Sequence, residues 1–118
     1  MDQRTLNALQ DSIKKWESIV AGTGSDMGWQ NCRLCEEFLY TKLGIPTCNG
    51  CPVKERTGRM GCQNPEYDAW LDALDELRVD YIAPSFPDAM RERLRNLAQA
   101  ELDFLRSLLP TVEPGVVE

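Results

Sequence analysis

Leu6, Leu9, Ile13, Trp16 and Val20 recur at intervals of three and four residues, which predicts an amphipathic helix over roughly residues 3–20. Gly22, Thr23, Gly24 and Ser25 then read as a helix stop and a short loop. From Trp29 to Leu43 a second helical pattern places Cys32, Cys35, Leu39 and Leu43 on one face, with Leu34 and Phe38 beside it. Gly44, Pro46, Asn49, Gly50 and Pro52 make residues 44–52 a tight turn region. Asn64-Pro65 is a helix start, since Asn caps free amides and Pro at the first helical position gives up no needed hydrogen bond. Tyr67, Trp70, Leu71, Leu74, Leu77 and Arg78 follow on one face to about residue 80, opposite Asp68, Asp72, Asp75 and Glu76. A final helix is expected from a Ser85 cap to about Leu109, with Asp88 in its first turn. Its two apolar stripes, Leu94, Leu97 and Phe104 beside Ala98, Leu102, Leu105 and Leu109, form an arc wide enough for two partners.

No internal repeat is visible and no stretch alternates as a strand, so the fold class expected is all-α. About four helices should gather around a cysteine-rich knot, with little or no β-sheet. With 118 residues, a single metal-stapled domain over 1–110 is expected, its knot at 29–65. Residues 111–118, with two prolines, a glycine and no periodicity, read as a flexible tail.

Apolar content of 42% and charged content of 27% are ordinary for a globular chain, and no apolar run approaches the ~18 residues of a membrane span. The first residues, Met1-Asp-Gln-Arg-Thr-Leu, lack the basic start and apolar stretch of a signal peptide, which points to the cytoplasm. There an odd number of cysteines argues against a disulfide framework.

All five cysteines fall between positions 32 and 62. Cys32-Arg-Leu-Cys35 and Cys48-Asn-Gly-Cys51 are two Cys-x-x-Cys pairs, and Cys62 follows. A two-residue gap lets both thiolates of a pair turn toward one ion, and zinc takes four ligands at about 2.3 Å in a tetrahedron. With no histidine in the chain, the shell should be all thiolate. Four of Cys32, Cys35, Cys48, Cys51 and Cys62 are therefore the expected ligands of a structural Zn²⁺. The pairs Cys32/Cys35 and Cys48/Cys51 make the simplest set, and Cys62 replacing an earlier cysteine is the alternative. An iron–sulfur cluster is the rival occupant, because four thiolates and the Cys51-Pro52 step also suit one, although the spacing differs from the bacterial ferredoxin run. A thioredoxin-type redox pair requires a strand before its helix, and none is evident.

Net charge is −6 and unevenly spread. Residues 21–62 carry five basic and four acidic side chains, whereas residues 63–118 carry five basic and twelve acidic. The second half would repel a phosphate backbone, which argues against direct nucleic-acid binding. Asp68, Asp72, Asp75 and Glu76 read as a solvated helix face rather than an acid/base group. Lys54, Arg56 and Arg59 read as offsetting the −2 that zinc with four thiolates would carry, with contact to a phosphate or an acidic partner as the alternative. Trp16, Trp29 and Trp70 read as core anchors. No phosphate loop, nucleophile elbow or zinc-protease helix is present, and a closed thiolate shell leaves no open catalytic position. A non-catalytic protein is expected.

Cys32-x-Leu34-Cys35, Cys48-x-x-Cys51-Pro52-Val53, Thr57-Gly58, Gly61-Cys62, Pro65, Tyr67 and Trp70 together resemble a set of small cysteine-rich proteins common in bacteriophages and prokaryotic genomes. The resemblance covers about a third of the chain and implies a recurring metal-knot module and a viral origin, with no activity to transfer. Asn64 stands where those proteins often carry Thr, which leaves the capping role intact. The expectation is thus an adaptor or inhibitor whose acidic half meets a basic, nucleic-acid-binding surface of a host protein. The alternative is an iron–sulfur protein with a redox or nucleic-acid-processing accessory role. A homodimer through the wide arc of the last helix is compatible with either.

Overall fold

The computed structural model describes residues 1–27, 32–38, 50–59 and 64–110. Among them are five helices and no strand: α1 (Gln3–Val20), α2 (Arg33–Phe38), α3 (Pro52–Thr57), α4 (Pro65–Leu77) and α5 (Asp88–Ser107). The fold is mainly helical, as the periodicity requires, with one helix more than expected. The addition is α3, six residues long and too short to show a period. Its start is nevertheless written in Cys51-Pro52, where Pro occupies the first helical position, and its end in Gly58 at φ 74°.

α1 begins on Asp2, whose side chain accepts the Thr5 N–H at 2.8 Å. It ends in a Schellman closure, with Gly22 N–H on Ile19 C=O at 3.0 Å and Thr23 N–H on Ser18 C=O at 2.9 Å. Gly22 makes this possible at φ 82°, a conformation that costs other residues roughly 1 kcal/mol. α4 begins as expected on Asn64 but stops at Leu77 rather than near residue 80. Arg78 there adopts φ 56°, and Val79 N–H returns to Leu74 C=O at 3.0 Å.

The start of α5 differs from expectation. Its N-cap is Pro87, not Ser85, and no side chain caps it. Arg91 instead reaches back, donating from Nε to Phe86 C=O at 3.0 Å and pairing with Asp88. The far end is Ser107, two residues short of Leu109.

α5 packs against both α1 and α4, which accounts for its wide apolar arc. Leu94, Ala98, Leu102 and Leu105 are buried there, and Leu97, Phe104 and Leu109 of the same arc are partly buried. Trp16 and Trp70 join α1 to α4 edge to face, with centroids 5.5 Å apart, and Tyr67 meets Trp16 the same way at 5.9 Å. Both tryptophans are core, as their spacing suggests, while Trp29 lies outside the described residues. Leu71 departs from the expected core face of α4: the buried set is Tyr67, Trp70, Ala73 and Leu74, and Leu71 is 41% exposed. No described helix is long and apolar enough to cross a membrane.

Asn64 links local and tertiary structure. It is fully buried, its Oδ1 accepts the Tyr67 N–H at 2.9 Å, and its Nδ2 donates to Glu101 Oε1 at 3.2 Å. Asn64→Ala should therefore lose a cap and also leave a buried acceptor on α5 without its donor, together about 2–3 kcal/mol. A fall in urea midpoint at constant slope would register it, and a change below about 0.5 kcal/mol would contradict the double role.

Candidate metal centre and a buried polar web

Two of the five cysteines are described with their side chains. Cys32 stands immediately before α2, its carbonyl accepting the Glu36 N–H at 2.9 Å. Cys51 caps α3 and accepts the Glu55 N–H at 3.0 Å. Each thus stands at the start of a six-residue helix. Both are buried, and both belong to the hydrophobic core cluster together with Leu34 and Val53. Cys35 lies on α2, as the sequence pattern suggests. The side chain of Cys35 and residues Cys48 and Cys62 lie outside what is described. Leu39 and Leu43, expected on the same helical face, are outside it as well. Among the described residues no group of three or more metal-ligating side chains comes together.

Gly50 sits at φ 87°, turning the chain directly before Cys51. A Cβ at Gly50 would lie 3.5 Å from the Phe38 ring, so this turn packs against the end of the helix carrying Cys35. α2 is in turn fastened to α1. Arg4 donates from Nε to Glu37 Oε2 at 2.6 Å and from its terminal nitrogen to Glu37 C=O at 2.7 Å, while its guanidinium lies over Phe38. The hydrogen bond from Arg4 holds the Glu37 carboxyl below its ordinary range. These contacts are exposed and each contributes little, whereas fully buried Leu34 supplies the apolar anchor. Of the basic residues flanking Cys51, Arg59 pairs with Asp68 at 2.8 Å.

A second assembly of chemistry-bearing groups lies in the core, unannounced by any motif. Lys15 on α1 meets Asp26 Oδ1 at 2.7 Å, with only 13% and 3% of the two side chains exposed. Tyr67 donates its hydroxyl to Asp26 Oδ2 at 2.8 Å, so the loop after α1 is tied to α1 and α4 at once. Further in, Glu101 on α5 is 2% exposed. Burial pushes its pKa up to about 8, Asn64 opposes the shift through its hydrogen bond, and nearby Glu66 and Asp26 add to it. Glu101 is thus a neutral acid at pH 7. Its Oε2, with Ser12 Oγ, Glu66 Oε2 and Trp70 Nε1, is a buried polar atom without a hydrogen-bond partner among the described residues.

Sequence reasoning passed over Glu101, yet a signal existed. Leu94, Ala98, Glu101, Leu105 and Leu108 follow one another at steps of four and three, and all five are buried. A carboxylate on an apolar seam is the mark of a buried acid.

Comparison with known protein families, curated proteins and solved structures finds no match, so function is argued from these residues alone.

Proposed function

We propose that this protein is a small, non-catalytic, acidic adaptor or inhibitor, a helical module stapled by a structural Zn²⁺ on four of Cys32, Cys35, Cys48, Cys51 and Cys62, that engages a basic surface of another protein. The viral origin implied by the resemblance belongs to the same proposal, with a nucleic-acid-binding groove of a host protein as the target. The observation that carries it is the exposed acidic face of α4. Asp72, Asp75 and Glu76 are exposed there, with Asp80 just beyond, and of the four only Glu76 has a cationic partner among the described residues, Arg93 at 2.6 Å. Unpaired carboxylates on a rigid helix cost stability through self-repulsion and give steering and selectivity toward a cationic partner.

The metal part of the proposal is supported by Cys32 and Cys51 both lying in the hydrophobic core cluster and by the left-handed turn at Gly50. The ion would supply cross-linking rather than reactivity. Elemental analysis with an absorbance spectrum separates this from the iron–sulfur alternative. One zinc per chain in a colourless sample is expected, and a brown, zinc-free sample would replace the proposal with its rival.

The adaptor reading is tested by immobilising the protein in host lysate and eluting with salt. A partner of basic surface released between about 0.1 and 0.5 M salt is expected, since screening shortens the Debye length from about 10 Å to under half that. Absence of any salt-released partner would refute the reading.

A further inference from the structure

We propose that the groove between α4 and the loop after α1 is the docking site, and that it takes a basic segment of a partner protein that offers one apolar side chain flanked by lysine or arginine. The groove holds about 470 Å³, enough for a large aliphatic or aromatic side chain. Its apolar lining is Leu71, Leu74, Val79 and Met27. Asp75 and Asp80 stand at its rim.

Two large apolar side chains along it face solvent: Leu71 is 41% exposed and Met27 57%. One exposed leucine is commonplace, but two bordering the same concavity form a patch. Leu71 also belongs to the helix whose period first assigned it to the core; it carries the apolar face of α4 past the point where α5 covers it.

The charge around this patch selects the occupant. Asp75 and Asp80 make no ion pair with any described residue, and no described basic side chain lines the groove. Asp26 at the inner wall is different, because Lys15 and Tyr67 already hold its carboxylate, which makes that wall a fixed, polar stop. The turn at Arg78 completes the arrangement: its φ of 56° folds Val79 back toward Leu74, and both Asp75 and Asp80 line the groove. An apolar anchor would bury Leu71 and Met27, and cations on either side of it would meet the two carboxylates. A bare metal ion is a poor alternative, since no three ligating groups converge among the described residues.

This inference rests on the adaptor reading and names its contact face. The probe is a fluorescent helical peptide of leucine and lysine, compared with one carrying glutamate for lysine and one carrying serine for leucine. Binding is followed by anisotropy and by backbone amide shifts of the whole protein. The leucine–lysine peptide should bind with shifts centred on residues 71–80, and the two comparison peptides should bind at least about tenfold more weakly, which corresponds to 1.4 kcal/mol. Leu71→Ala, and Asp75→Asn with Asp80→Asn, should each cost about tenfold while leaving the melting temperature unchanged. Equal affinity of the variants, equal binding of the serine peptide, or shifts centred elsewhere would overturn the assignment. Shifts at 71–80 that grow with protein concentration and no peptide would also overturn it, by making a second copy the occupant. If the groove variants still capture the salt-released partner, the groove falls and the adaptor reading stands. If no partner is captured while the peptide binds at 71–80, the adaptor reading falls and the groove stands.

Discussion

Under the proposed zinc staple, chelation is expected to abolish the cooperative unfolding transition of the whole domain rather than loosen one loop. Cys32 and Cys51 are buried in the same apolar cluster as Leu9, Trp70 and Leu105, so a site built on them is continuous with the core. A structural zinc contributes about 10–16 kcal/mol of apparent binding energy, while a domain of this size is stable by only about 5–15 kcal/mol in total. Losing the ion therefore leaves less than the entropy of ordering the chain demands. Single serine substitutions of the five cysteines extend the test. Four should unfold the protein at 25 °C, and the fifth, whichever thiol exceeds the tetrahedral shell, should leave metal content and melting temperature unchanged. An unaltered melting curve after verified removal of the metal would overturn the structural assignment.

The second large effect concerns pH. Glu101 binds a proton in the folded protein up to about pH 8, whereas its ordinary value is 4.5. Between those values the folded state holds one more proton than the unfolded state, so the contribution of this group to stability falls as pH rises. It is fully present below about 4.5 and gone above about 8. At roughly 1.4 kcal/mol per unit, the swing has a ceiling on the order of 5 kcal/mol, reduced in practice by relaxation of the site. Glu101→Gln keeps the shape and the Asn64 hydrogen bond without a titrating proton. The variant should match the parent near pH 5 and exceed it by several kcal/mol at pH 9, measured by denaturant unfolding. Thiolate ligands give a metal site the opposite trend, since acid releases the metal, but that trend is common to both proteins and cancels in the difference. Parallel stability profiles for parent and variant would show that Glu101 ionises without cost. Groups facing Glu101 from other elements are Asn64 and Glu66 at the start of α4, Lys15 on α1 and Asp26 in the following loop, and none of these is changed.

Much of the architecture was legible in the chain, and the reason differs by element. α1 was readable to the residue because the stripe from Leu6 to Val20 ends in Gly22, whose positive φ closes the helix. α4 was equally readable at its start, where Asn64 and Pro65 specify a cap and a first turn. The start of α5 was misplaced because Ser85 has the chemistry of a cap, yet Phe86 and Pro87 lie between it and the helix. The short α3 escaped because six residues hold less than two periods. For the candidate centre, clustering of the five cysteines and the turn at Gly50 could be read directly, whereas the placement of Cys32 and Cys51 in the core could not.

By itself, then, the sequence determined where most helices lie, which face of each is apolar, the uneven charge and the grouping of the thiols, because each of these is a local pattern of residue types. Tertiary structure alone decided that Glu101 is an internal neutral acid, that Leu71 is left in solvent beside Met27, and that α5 spends its wide arc on α1 and α4. Those outcomes depend on which neighbour covers each face, and a helical period states that a face needs covering without naming what covers it.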